Sequence, residues 1–232
     1  MEQINQKVID ELLRLGADIV GFGDLRELPV EDRNDLPFGV SVAVLYPPDV
    51  IRGIADLPTK EYSEYYDKIN DKLDMIVTAG AIMLQEMGYN AVAQTREYVK
   101  DNMRGKVSKL PHKTVATRAG LGWIGKSALF VTEEYGSALR ISSILTDAPL
   151  STAVPINESK CGNCMICADS CPGAAVSGME WNTALYRDEF FDAGKCYKAA
   201  KERTRLGCGG IYTLCGKCIE VCPYTRRYTR DG

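Results

Sequence analysis

The chain has nine cysteines, and none precedes residue 161; all lie between Cys161 and Cys222 of 232 residues. A fold must account for that crowding before anything else. Paired disulfides are a poor account, because the count is odd and the N-terminal MEQINQKVIDELLRLG spreads charges along its length instead of offering the apolar core of a secretory signal. In a reducing compartment, clustered thiols mean metal or redox chemistry more often than bridges. The chain is therefore expected to be cytoplasmic.

The spacing sharpens this. Cys161-Gly-Asn-Cys164-Met-Ile-Cys167-Ala-Asp-Ser-Cys171-Pro172 is C-x2-C-x2-C-x3-C-P. In that pattern the first three thiolates hold one four-iron cluster and the fourth crosses to a second. Zinc also takes thiolates, but a zinc ribbon uses two separated C-x2-C knuckles. A short helix is expected after Cys171, carrying its thiolate toward the second cluster. A second run, Cys215-Gly-Lys-Cys218-Ile-Glu-Val-Cys222-Pro223, ends the same way. By the crossover rule cluster 1 takes Cys161, Cys164, Cys167 and Cys222. Cluster 2 takes Cys171, Cys215 and Cys218 and needs one more ligand. Cys196, at the start of a helical stretch, and Cys208, in a glycine-rich one, both remain open on spacing alone. Two such clusters imply one-electron transfer and a low-potential electron donor.

The first 150 residues read as alternating elements: a helix with Ile4, Val8, Leu12 and Leu15 on one face stopped by Gly16, strands at Ala17 to Phe22 and Gly39 to Tyr46, a long helix over residues 62–87, and strands near Ala91 to Ala93, Ala128 to Thr132 and Leu139 to Leu145. Residues 100–118 read as a basic loop leading into a short helix near Thr114. This is an α/β (α+β) layered pattern. The turn-rich stretch from Ala148 to Pro155 suggests a boundary, giving a cofactor domain over 1–153 and a ferredoxin-like domain over 154–232. With 45% hydrophobic and 25% charged residues the composition is that of a globular chain, and no apolar run suits a membrane span. The net charge of -3 argues against a general nucleic-acid binder.

Gly120-Leu-Gly-Trp-Ile-Gly-Lys-Ser127 matches both a dinucleotide fingerprint and a P-loop. Both motifs need a strand before and a helix after. Here a helix-like HKTVATRA precedes and a strand-like ALFVT follows, and Trp123 would crowd a phosphate. A tight glycine turn, or close approach to another bulky ligand, fits better.

Taken together, ATRAGLGWIGKSALF, YGSALRISSILTD, the first cysteine run and CGKCIEVCPY resemble the epoxyqueuosine reductases, relatives of the reductive dehalogenases. The resemblance implies a nitroreductase-like cobalamin-binding domain followed by a ferredoxin module, with electrons passing through two 4Fe-4S clusters to a corrinoid that reduces a substrate. It implies Gly125, Lys126 and Ser127 as cofactor contacts and favours Cys196 as the fourth ligand of cluster 2. Two features depart from the family. The acidic proton donor it carries before the AGLGW segment is missing: no carboxylate lies between Asp101 and Glu133, His112 stands where the family has Glu, and Lys106 stands near its Asp. His112 then becomes the candidate general acid, set against a solvated surface histidine. The helical-repeat domain that follows in full-length reductases is also not expected here, which with the acidity argues against tRNA and leaves an unknown small-molecule substrate. The alternative is an electron-transfer protein whose first domain docks a partner or holds flavin.

Overall fold

The computed structural model describes residues 2–104, 107–210 and 212–230. In chain order the elements are α1 (Glu2–Arg14), β1 (Ile19–Asp24), β2 (Phe38–Leu45), α2 (Pro48–Arg52), α3 (Lys60–Glu86), β3 (Ala91–Ala93), α4 (Arg96–Asp101), β4 (Met103–Arg104), β5 (Val107–Ser108), α5 (His112–Arg118), β6 (Trp123–Ile124), β7 (Phe130–Val131) and β8 (Leu139–Thr146). The cysteine-bearing stretch adds α6 (Ile166–Asp169), α7 (Arg187–Phe190), α8 (Ala193–Gly207), α9 (Lys217–Glu220) and α10 (Pro223–Arg230). The α/β class expected from the pattern is the one observed.

The chain forms two compact units. The first comprises Met1–Val44, Ile69–Leu121 and Arg140–Ile156. Its core is a four-stranded sheet in the order β1-β2-β8-β3. β1 pairs antiparallel with β2 from Ile19↔Ala43 to Asp24↔Phe38, and β3 with β8 from Ala91↔Thr146 to Ala93↔Ile144. Six successive residues of β2, Gly39 to Val44, are buried, so this strand is covered on both faces and shows an apolar run instead of alternation. α1 buries Val8 and Leu12, and Gly16 ends it at φ +98°, a left-handed position that glycine adopts without steric cost. In α3 the buried stripe runs through Ile69, Leu73, Ile76, Gly80 and Leu84, with Met83 and Met87 at its margin.

Gly23 of β1 sets how closely α5 approaches. A Cβ there would stand 2.9 Å from both the Ala119 nitrogen and the Arg118 carbonyl carbon, and backbone cannot swing aside as a side chain can.

The second unit comprises Leu45–Lys68, Gly122–Leu139 and Asn157–Gly232. The linear boundary after residue 153 does not describe this partition. The turn-rich 148–155 stretch is not a free linker, since Ala153 N donates to Phe22 O and Ile156 N to Thr117 O, at 3.0 and 2.9 Å. Residues 45–68 and 122–139 go with the cysteines because they bond to them: Tyr228 OH donates to Tyr46 O at 2.9 Å, Lys217 Nζ to Ala55 O at 2.7 Å, and Ser137 N to Thr225 Oγ1 at 3.0 Å. Among the described residues no helix is long and apolar enough to cross a membrane.

Gly23→Ala should destabilise the protein by about 1–3 kcal/mol through overpacking against backbone. The urea midpoint measures it, and an unchanged midpoint would show that α5 can yield.

Candidate iron–sulfur site

Three local devices bring the distant cysteines together. The first is the turn after Cys161: Cys164 N donates to Cys161 O at 3.2 Å, and α6 then carries Cys167. The second is Gly173. A Cβ there would lie 2.9 Å from the Lys195 carbonyl oxygen and from Ala199 Cβ, so the Cys171 turn rests directly on the start of α8. Asp192 caps α8 by accepting from Lys195 N at 2.8 Å, which fixes Cys196 in the first turns. The third is Gly216, in the left-handed region at φ +73°, where any Cβ would collide with Ile54; it starts α9, which carries Cys218. The helix expected after Cys171 is absent. Pro172 and Gly173 form a turn, and the short helix α6, which carries Cys167, precedes Cys171.

The thiols fall into two neighbourhoods. Cys167 feels Cys161, Cys222 and Cys164, and burial and then these neighbours push its thiol up to about 11. Cys196 is raised by burial and then by Cys215 and Cys171. Cys218 is the most strongly raised, by burial and then by Cys215, Cys196, Cys167 and Cys171. Burial also raises Cys222, against backbone N–H bonds from Thr225 and Tyr224 that favour its thiolate. The Cys171 sulfur accepts from Ala175 N at 3.3 Å. Cys208 is in neither group: it sits at the C-terminus of α8, its Sγ 3.5 Å from Thr204 O, and its electrostatic neighbour is Tyr212.

A cavity of about 240 Å³ opens among Cys161, Cys164, Cys167, Cys218 and Cys222. Gly125, Lys126, Ser127 and Tyr224 also line it. The glycine segment that mimics a nucleotide motif therefore faces thiols. α5 precedes it and β7 follows it, the inverse of what either nucleotide motif needs. Gly125 leaves the room required, since a Cβ there would touch Val131 at 2.8 Å and stand 3.5 Å from Cys161 Sγ. Among the described residues no three His, Cys, Asp or Glu side chains converge on a single-ion site. An open thiol-lined cavity suits a multi-iron core better than one zinc ion.

Residues 160–225 match the family described as a 4Fe-4S double cluster binding domain. The epoxyqueuosine reductase of Bacillus subtilis is 28% identical over 163 residues, covering 70% of this chain and 38% of that protein. That of Staphylococcus aureus is 24% identical over 263 residues, covering 97% and 65%. The chain is a relative of the epoxyqueuosine reductases. It spans 38% to 65% of the length of these two. Among solved structures, an epoxyqueuosine reductase crystallised with an epoxyqueuosine-modified tRNA-Tyr stem loop overlays with a TM-score of 0.61 at 20% identity, over 97% of this chain and 66% of that one. A catabolic reductive dehalogenase bound to 3-bromo-4-hydroxybenzoic acid overlays with a TM-score of 0.69 at 20% identity, over 94% and 31%. At such identity the overlays establish the fold: a mixed α/β chain with a two-cluster iron–sulfur domain at its C-terminal end.

His112 lies at the N-terminus of α5, in the first unit. It is not a solvated surface histidine. Its Nδ1 is 2.8 Å from Ser143 Oγ, which donates to Gln94 Oε1 at 2.5 Å. The one hydroxyl proton is thus committed to Gln94, so Nδ1 carries the ring proton and Nε2 its lone pair. Burial, then the Arg140 charge, lowers its pKa to about 4. Near pH 7 the ring is neutral, which suits a proton acceptor and disfavours the general acid expected from sequence. Lys106 lies outside the described residues.

The sign of the pH effect follows. Between the ordinary value of 6.5 and about 4, the unfolded chain binds a proton at His112 that the folded chain does not, so stability is lost as pH falls through that window. By linkage this group costs roughly 2–3 kcal/mol on going from pH 7 to about pH 4.5. His112→Asn keeps an N–H for Ser143 and cannot titrate. Its urea midpoint should fall less than that of wild type over the same range, and equal falls would place the acid sensitivity elsewhere.

Proposed function

We propose that the chain is an iron–sulfur reductase whose two 4Fe-4S clusters relay electrons, one at a time, from a low-potential donor to a corrinoid. Cys161, Cys164, Cys167 and Cys222 hold cluster 1; Cys171, Cys196, Cys215 and Cys218 hold cluster 2. The observation that carries the reading is the separation of the thiols into these two neighbourhoods within a matched double-cluster domain. Its support for Cys196 over Cys208 is spatial: Cys196 neighbours Cys215 and Cys171, and Cys208 neighbours Tyr212.

The chain's own groups do three things. Turns and short helices position eight thiols. Backbone N–H groups at Tyr224 and Thr225 point at Cys222 and favour its thiolate form, and Ala175 N donates to the Cys171 sulfur. The raised thiols give up protons as iron binds, so assembly couples to proton release. The shared neighbours of Cys218, which include Cys167 of the other set, support direct electron exchange between the two clusters.

The corrinoid rests on likeness: one solved relative of this fold is described as a reductive dehalogenase whose structure suggests a B12-dependent mechanism. When bound it would supply a strongly reducing metal centre. Gly125, Lys126 and Ser127, expected beside it, line the thiol cavity and fit the cluster. The net acidity of the chain argued against tRNA, but a relative was crystallised with a tRNA stem loop. That stem loop is therefore the first substrate to assay.

Anaerobic reconstitution should yield about eight irons per chain. Cys196→Ser should lose or convert one cluster and Cys208→Ser neither; the reverse result would reassign cluster 2. Added cob(II)alamin should bind tightly with a base-off spectrum. An unchanged spectrum would remove the corrinoid and leave an electron-transfer protein, and retained FMN would point to a flavin instead.

A further inference from the structure

Lys126 is only 4% exposed. Its ammonium donates to the Gly162 carbonyl at 2.7 Å and lies 3.7 Å from the Met165 sulfur. Neither acceptor carries negative charge, and among the described residues no carboxylate pairs with it. A buried ammonium held only by a carbonyl and a thioether is expensive unless a counter-charge is close. Lys126 shares its cavity with Cys161, Cys164, Cys167 and Cys222, the residues read above as ligands of cluster 1; Cys218 of the other set and Arg227, a second cation, also line it. A four-thiolate 4Fe-4S centre carries a charge of about -2 oxidised and about -3 reduced, and its potential follows the charge and hydrogen bonds around it.

We propose that the Lys126 ammonium is the counter-charge of cluster 1 and biases that cluster toward its reduced state. The inference rests on the two-cluster reading and adds a cause for a difference between the clusters. Cations favour the form with the extra electron, so a fixed charge in this cavity raises the potential of cluster 1 more than that of cluster 2. The Gly162 bond gives the side chain a second task, since it holds the first turn of the Cys161 loop. Gly162 N in turn donates to Glu180 Oε1 at 2.6 Å, so the loop is tied from both sides.

The two tasks are separable. Lys126→Met removes charge and donor, Lys126→Gln removes charge and keeps an N–H, and Lys126→Arg keeps both. Each reconstituted full-length variant would be titrated by EPR-monitored reduction, with iron counted. The Met and Gln variants should show one cluster shifted to lower potential by at least a tenfold change in its reduction equilibrium, 59 mV for a one-electron couple. The Arg variant should stay near wild type, and the other cluster should move clearly less than the first. Wild-type potentials for both clusters in the Gln variant would overturn the proposal. So would a Met variant that merely loses one cluster while the Gln variant behaves as wild type, because Lys126 would then be only a clamp on the loop. A wild-type protein without about eight irons and two cluster signals would instead sink the two-cluster reading itself.

Discussion

Thiols resist being gathered. Each one buried loses hydration, and each neighbour that ionises makes the next ionisation harder, so Cys167, Cys196, Cys218 and Cys222 all titrate above their ordinary range. The cysteine-bearing unit is shaped by that cost. Very short helices, a capped α8 and left-handed or crowded glycines hold the sulfur atoms in place, where longer regular elements would spread them too far apart. Iron resolves the conflict by taking the thiolates and releasing their protons. Much of the stability of this unit should therefore come from its metal.

The same cost explains why the glycine segment is where it is. A cavity among thiols needs walls that bring little bulk and, if charged, positive charge. Gly125 brings no side chain and Lys126 brings a cation. A motif shaped like a phosphate cradle thus serves another anionic guest, because both tasks call for close backbone approach and positive charge.

Much of this was legible in the sequence. The first helix, the two leading strands, the long α3, and β8 were given by periodicity and glycine stops, with boundaries moved by a residue or two. The double-cluster domain was readable in the cysteine spacing, because ligand spacing is local chemistry. What was not legible was tertiary. Nothing in residues 45–68 announces that Tyr46 and Ala55 bond to α9 and α10. α2 and α4 are too short to show periodicity. His112 looked like a surface residue in a basic stretch because its partners, Ser143 and Gln94, lie far away in the chain. That residues 125–127 line the thiol cavity is not announced by their nucleotide-like spacing, and the helix-before, strand-after order told only against a nucleotide.

The discontinuity of the second unit has a consequence for how the protein is made. Its three segments are spread from Leu45 to beyond Asn157, so neither the thiols nor their glycine wall can be completed until Cys222 has left the ribosome. Contacts of such long sequence separation form slowly. Residues 45–68 must wait, with Ile54 and Tyr62 uncovered, for partners far downstream in the chain. Cluster assembly would have to wait with them, and the cysteine stretch is not a cassette that recombination could lift out whole. It has to be inherited together with the fold into which it is threaded.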